Sequence, residues 1–277
     1  YSYFEMSEKN SLKEEPIFAD RGVIYDRNGV ELAWNVIHDK DEPYLLRRYI
    51  ESPGFAHLLG YLSYPEKDKD GHYWQTEYIG RDGVEDEYND LLSGKNGARL
   101  YETDALGERK VGSSLNPPIQ GTNLNLTVDS RIQSKLYEAI VGLAERAGYS
   151  GGAGLVMDIT TGELVAMTSY PEYNPNILAT GEEKEIIQSY LLDTAKKPFI
   201  NRTVSGVYTP GSIVKPFIAI GALEEGTVDP NESFYSGGGL VIPNPYNPEL
   251  KSVFKDWKEE GHGYTDMRKG LAESVNT

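Results

Sequence analysis

Residues 208–223 read Tyr208-Thr209-Pro210-Gly211-Ser212-Ile213-Val214-Lys215-Pro216-Phe217-Ile218-Ala219-Ile220-Gly221-Ala222-Leu223. From Ile213 onward the stretch is apolar nearly all round, which predicts a helix buried on every side. Such a helix should carry no free charge. Yet Lys215 follows Ser212 by three residues, which on a helix stacks an ammonium and a hydroxyl on one face within a turn. An alcohol at neutral pH is a weak nucleophile and needs a base beside it, and an ammonium drawn into a cation-disfavouring site is pushed toward accepting a proton. Backbone N–H groups at a helix start also suit a developing oxyanion. Pro210-Gly211 gives a sharp entry and close backbone approach, while Pro216 removes an N–H and is expected to distort the first turn. The competing reading makes Ser212 an N-cap and Lys215 a surface lysine with its stem along apolar surface. Spacing alone favours this second reading, because S-x-x-K occurs often by accident; the Tyr-Thr-Pro-Gly entry shifts the balance toward the nucleophile.

Further on, Ser274-Val275-Asn276 sets a hydroxyl and an amide two residues apart, so that in extended backbone they point the same way. A proton shuttle and a handle for a peptide-like substrate are what such a pair offers, and it gains meaning only beside Ser212 and Lys215. Other constellations are weaker. The four histidines, His38, His57, His72 and His262, have no metal-ligand spacing and give no local support to a Ser-His-Asp triad. Gly237-Gly238-Gly239 lacks the lysine of a phosphate loop, and Asp256 with His262 fits a surface pair better than a shared metal.

The chain of 277 residues accommodates one sizeable core and a smaller module. Its formal charge of −16 disfavours nucleic acid, and 20 Tyr within an 11% aromatic content supply ample surface to bury. There is no cysteine, which excludes disulfides, thiolate metal sites and Cys nucleophiles. No run is long and apolar enough for a membrane span, and no stretch reads as a signal peptide. The opening on Tyr1 and the abrupt close on Thr277 suggest a segment of something longer.

Local patterns place several elements. Residues 1–15 read as the tail of a helix or a frayed terminus. Gly22–Tyr25 and Val30–Trp34 flank Asp26-Arg27-Asn28-Gly29, a strong hairpin signal. Val84, Tyr88, Leu91 and Leu92 predict one short helix stopped by Gly94. Pro117-Pro118 marks the domain change. Asn123–Val128 alternates like a strand, and Ser130 with Gln133 suggests a capping box for a helix with Ile132, Leu136, Ile140, Leu143 and Ala147 on its face. Gly154–Asp158 and Glu163–Met167 form a second hairpin, expected to be covered on both faces.

With these residues in hand the chain resembles a class B penicillin-binding protein, a serine D,D-transpeptidase that cross-links peptidoglycan. Arg21-Gly22-Val23-Ile24-Tyr25-Asp26-Arg27-Asn28-Gly29 with Leu32-Ala33 resembles the family's N-terminal R-G-x-I-x-D-R-N-G-x-x-L-A signature, and Gly80, Gly83, Glu85, Tyr88, Leu92 and Gly94 its second pedestal motif. Tyr208–Pro216 is similar to the active-site P-G-S-x-x-K-P, and Ser274-Val275-Asn276 to S-x-N. The resemblance implies an α+β fold: a pedestal or dimerisation-type module with a short head over 1–118, then the N-terminal portion of a transpeptidase domain over 119–277. That second domain is an antiparallel sheet with helices on both faces, incomplete here. It implies that Ser212 attacks the D-Ala-D-Ala carbonyl with Lys215 as proton acceptor, that Ser274 relays a proton to the leaving group, and that Asn276 holds the substrate amide or steadies Lys215. The Ser212 backbone N–H would supply half of the oxyanion hole, and β-lactams would acylate Ser212.

The third family motif, K-T-G, is absent, so the fragment alone is expected to be inactive. About twenty residues separate Asn35 from Gly54, where the family usually inserts a larger head. The Asp26–Gly29 turn, the Pro117-Pro118 junction and the Trp257–Gly263 run are closer to the elongation type than to the division type. Some elongation-type members hold zinc through a Cys inside S-x-N; Val275 stands there, so neither metal nor cofactor is expected. Implied partners are peptidoglycan stem peptides, β-lactams and a membrane glycosyltransferase of the SEDS type. The implied place is the periplasmic side of a bacterial membrane, with the anchor outside this chain. A non-catalytic scaffold or β-lactam sensor is the alternative, and a soluble serine esterase or carboxypeptidase fits less well because it has no use for the pedestal motifs.

Overall fold

The computed structural model describes residues 12–38, 42–102 and 114–276. The chain divides into two compact units, one ending at Gly206 and the other beginning at Val207.

The first unit is organised around the Asp26–Gly29 hairpin. Ile24–Tyr25 pairs antiparallel with Glu31–Val36, Leu46–Tyr49 adds on one side, and Leu124–Asn125 adds in parallel on the other, giving a four-stranded sheet. Gly29 closes the turn at φ 79°, a conformation that costs glycine little. Asp26 organises the same turn through its carboxylate, which accepts from the backbone N–H of Asn28 (2.7 Å), Val30 (2.9 Å) and Ser130 (3.0 Å) and from the Ser130 hydroxyl (2.8 Å). Ile24, Leu32, Ala33, Tyr49, Phe55 and Leu59 form the core.

Both pedestal motifs have a common physical purpose. Arg21 Nε meets Glu85 Oε2 at 2.6 Å and Arg47 Nε meets Glu85 Oε1 at 2.7 Å, with all three side chains buried. One carboxylate from the second motif thereby neutralises a guanidinium from the first. Gly80 is required beside it, because a Cβ there would overlap the Glu85 carbonyl.

Several local readings are corrected by long-range partners. Residues 12–15 are part of a strand, Leu12–Ile17, paired antiparallel with Gly97–Glu102; residues 1–11 lie outside the described residues. The helix expected over residues 84–92 is two short helices, Gly83–Glu87 and Asn89–Ser93, broken at Tyr88 (φ −106°, ψ 22°). Asn89 accepts from the Gly80 N–H at 3.0 Å, and of the expected apolar face only Val84 and Leu92 are buried. The long helix Ser130–Ala147 is present, but Asp129 is its N-cap, because Ser130 is taken by Asp26. Gln133 is wholly buried, its amide nitrogen donating to the Gly54 and Met167 carbonyls and its oxygen accepting from the Met167 N–H. Leu136 and Ile140 lie over Gly152 and Gly154 of the hairpin Gly152–Met157 with Leu164–Tyr170. That sheet is not covered on both faces: Leu155, Val156 and Met157 are exposed, as two strands with one helix leave a second face open.

The second unit begins with a 3₁₀ turn, Gly211–Val214, leading into the helix Lys215–Glu224. Two antiparallel pairs follow, Phe234–Ser236 with Gly263–Thr265 and Gly239–Asn244 with Asn247–Lys255, then the helix Met267–Ala272. The apolar helix is not buried, contrary to its sequence pattern: Phe217 is 74% and Ile218 63% exposed. Its main neighbours in this unit are the 3₁₀ turn and the helix Met267–Ala272, too few to cover an all-round apolar surface.

Candidate active site

Gly211 adopts φ 60° and starts the 3₁₀ turn, whose closing bond runs from the Lys215 N–H to the Ser212 carbonyl. Side chains three apart eclipse in a 3₁₀ turn, so this tight geometry stacks Ser212 and Lys215 more closely than an α-turn would. Pro216 falls in the first turn of the α-helix, where an N–H has no intrahelical partner and proline fits. The 3₁₀ geometry lies ahead of that helix, in the four residues Gly211–Val214.

The helix Met267–Ala272 ends at Glu273, and Ser274 takes the left-handed conformation at φ 54°. Its Val275 N–H bonds the Gly270 carbonyl at 2.9 Å, which turns the chain sharply back toward the 3₁₀ turn. A non-glycine residue in this region stores strain that the surrounding contacts must hold, and such strain gathers at functional sites.

The four residues singled out from the sequence come together. Ser274 Oγ lies 2.7 Å from Ser212 Oγ. Lys215 Nζ donates to Ser274 Oγ at 3.2 Å, to the Ser274 and Val275 carbonyls at 2.8 and 2.7 Å, and to Asn276 Oδ1 at 2.7 Å. Lys215 Nζ is thus surrounded by four oxygens and not by apolar walls, which corrects the environment inferred from the helix pattern. Ser212 is exposed and Lys215 half-buried, so the hydroxyl faces outward with its hydrogen-bonded partners behind it.

Behind this group lies a second layer that the sequence did not single out correctly. Asp256 and His262, expected at the surface, are both buried, at 7% exposure each. Asp256 Oδ2 accepts from the Asn276 N–H at 2.9 Å, and Oδ1 accepts from the Trp257 N–H at 2.7 Å and faces His262 Nε2 at 3.4 Å. His262 Nδ1 stands 2.7 Å from Glu273 Oε2. Burial would raise the Asp256 carboxyl, but N–H donors from Asn276, Lys258 and Trp257 and the His262 ring outweigh it and hold it below the usual carboxylate range. The His262 ring, first among several contributions, likewise lowers Glu273.

Asp256 and Glu273 approach opposite nitrogens of one imidazole, and among the described residues no three His, Cys, Asp or Glu side chains converge on a point.

A serine paired with a lysine in one tight turn, with a second serine bridging them, is an arrangement suited to serine acyl-transfer chemistry, here on an α+β frame. Residues 152–277 match the penicillin binding protein transpeptidase domain and residues 42–126 the penicillin-binding protein dimerisation domain. The Haemophilus influenzae peptidoglycan D,D-transpeptidase MrdA is 33% identical over 244 residues, covering 85% of this chain and 36% of that protein. The Escherichia coli K12 MrdA is 31% identical over 355 aligned positions, covering 99% of this chain and 54% of that protein. A crystal structure of Pseudomonas aeruginosa PBP2 in complex with WCK 5153 is 28% identical, with a TM-score of 0.74, over 96% of this chain and 52% of that one. The chain belongs to the penicillin-binding proteins, with a dimerisation-domain segment followed by a transpeptidase-domain segment. It spans about a third to a half of the length of the relatives it matches. The alignment with the E. coli protein is longer than this chain, so that relative carries extra residues within the matched stretch.

Proposed function

We propose that the protein carrying this chain is a peptidoglycan D,D-transpeptidase of the elongation type, with Ser212 as its nucleophile. The observation that carries the reading is the hydrogen-bonded run from Ser212 Oγ through Ser274 Oγ to Lys215 Nζ, at 2.7 and 3.2 Å. Ser212 Oγ attacks the carbonyl of the penultimate D-Ala, and its proton passes by way of Ser274 to Lys215, which takes it up as the neutral amine. The tetrahedral oxyanion draws on the Ser212 backbone N–H. Collapse breaks the D-Ala–D-Ala amide bond, and the proton returns along the same run to the departing amine. An acceptor amine then attacks the Ser212 ester and releases the cross-linked product with the serine restored. Asn276, fixed to Lys215 through Oδ1, keeps its amide nitrogen for the stem peptide.

Support for the elongation type comes from relatives named MrdA at both partial and near-complete coverage of this chain. In this reading residues 1–118 form the non-catalytic pedestal with its short head and 119–277 the first portion of the transpeptidase domain. Its partners are stem peptides, β-lactams and a membrane glycosyltransferase of the SEDS type, on the periplasmic face of a bacterial membrane. Among the described residues no helix is long and apolar enough to cross that membrane, so any anchor belongs to other residues.

The test is intact-mass spectrometry of the protein at its natural length after incubation with a fluorescent penicillin, beside Ser212→Ala. One adduct that disappears in the variant is expected. A folded wild-type protein that takes no adduct would turn the reading toward a non-catalytic scaffold.

A further inference from the structure

We infer that His262 is a positioning residue for the Ser274–Asn276 segment, acting as a strap between Asp256 and Glu273 without touching substrate. The inference rests on the transpeptidase reading for its catalytic consequence but not for its geometry. Glu273 is the residue immediately before Ser274, and Asp256 holds the Asn276 N–H at 2.9 Å. The two carboxylates therefore grip the segment from its two ends. His262 stands between them: Nδ1 is hydrogen-bonded to Glu273 Oε2 at 2.7 Å, while Nε2 approaches Asp256 Oδ1 at 3.4 Å as an ion-pair contact without hydrogen-bond geometry.

The ring is itself fixed. Trp257 packs edge-on against it, centroids 5.2 Å apart, and the Trp257 indole N–H donates to the Glu273 carbonyl at 3.1 Å. Lys269 Nζ holds the His262 carbonyl at 2.7 Å, tying the ring's own backbone to the helix that leads into Ser274. These contacts are set where restraint is needed. Ser274 sits at φ 54°, and a strained backbone persists only while its surroundings over-determine it. Four of the contacts the site depends on, those of Lys215 Nζ, are made to this same segment. Releasing one end would let Ser274 Oγ drift from Ser212, and a displacement of the order of 1 Å costs about a hundredfold in rate.

A cavity of about 570 Å³ between Trp257, Lys258, Glu260 and Glu273 reaches His262, room enough for a free imidazole. The experiment compares wild type, His262→Ala and Glu273→Ala in the protein at its natural length by two readouts. Amide hydrogen exchange at Asn276 reports the strap directly, and the rate of Ser212 acylation by a fluorescent penicillin reports its consequence. In His262→Ala, exchange at Asn276 is expected to rise at least about tenfold and acylation to fall about ten- to a hundredfold. Exchange in the helix Ser130–Ala147 should be unchanged, and added imidazole should restore both readouts. Glu273→Ala, at an exposed side chain, should give a smaller loss of the same kind and serves if His262→Ala fails to fold. Unchanged exchange at Asn276 in a folded variant overturns the strap. Faster exchange with undiminished acylation overturns its positioning role. A wild-type protein that is never acylated sinks the transpeptidase reading instead, and the exchange measurement still decides the strap.

Discussion

Ser212 and Ser274 are 62 residues apart in sequence and 2.7 Å apart at their hydroxyl oxygens. Neither reaches that position by its own local preference. Ser212 is held by a 3₁₀ turn begun at Gly211, and Ser274 by a left-handed turn that ends the helix Met267–Ala272. Lys215 closes the arrangement, because its Nζ is bonded to Ser274, Val275 and Asn276 together.

A relay of this kind predicts losses that do not add. Ser274→Ala and Lys215→Ala should each slow acylation by about 10²–10⁴-fold, the usual worth of a positioned proton-transfer group. The double variant should be little worse than the poorer single one, since residues acting as a unit are counted once. Stopped-flow labelling with a fluorescent penicillin measures all three. Multiplicative losses would mean that Ser274 and Lys215 serve separate paths.

The strain at Ser274 predicts a separation of stability from activity. Glycine occupies the left-handed region without the Cβ clash that costs an L-residue about 1 kcal/mol. Ser274→Gly should therefore be about 1 kcal/mol more stable than Ser274→Ala by thermal or urea melting, although both lack the hydroxyl and both acylate slowly. Equal stabilities would show that the contacts of the segment, and not its dihedrals, set the energy there.

Legibility followed the range of the interactions. The hairpin at Asp26–Gly29 and the Ser212/Lys215 pair could be read because a turn and an i, i+3 spacing are local facts. The failures each have a distant partner: Ser130 lost its capping role to Asp26, 104 residues away, and Leu12–Ile17 is a strand only because Gly97–Glu102 pairs with it. Asp256 and His262 read as a surface pair because nothing in their spacing reveals that Asn276 and Glu273 return to cover them. The apolar helix Lys215–Glu224 misled in the other direction, since a hydrophobic pattern asks for burial but cannot supply the covering elements.

The Asp26 turn carries a pH signature. Burial alone would raise this carboxyl, but hydrogen bonds from Val30, Ser130 and Asn28 prevail and lower it from 3.8 to about 2. A carboxyl depressed in the folded state stabilises fully above its unfolded value, and the contribution fades as pH falls through the folded one. That depression corresponds to about 2 kcal/mol, and Asp26 is only 1% exposed, so solvent screening takes little from it. Asp26→Asn should cost roughly that much at pH 7, and the gap to wild type should close between about pH 4 and pH 2. Urea unfolding of both proteins across that window is the check; a gap independent of pH would assign the loss to turn geometry and not to charge.

The buried Arg21–Glu85–Arg47 group makes the last and most asymmetric prediction. Its three side chains are at most 1% exposed, so neither guanidinium can turn to water for compensation. Removing the shared carboxylate, as in Glu85→Leu, leaves two cations buried without an anion and should cost about 3–5 kcal/mol. Removing one guanidinium is a smaller injury. In Arg47→Met the Glu85 carboxylate keeps Arg21, and Arg47 Nη2 already lacks a hydrogen-bond partner among the described residues. Only the bonds to Asn35 and to one carboxylate oxygen are lost, while an apolar chain of similar length fills the space. Arg47→Met should therefore be clearly more stable than Glu85→Leu in urea, with the slope of the transition unchanged in both. The reverse order would mean that the two pedestal motifs are joined by packing around Arg47 and not by the carboxylate they share.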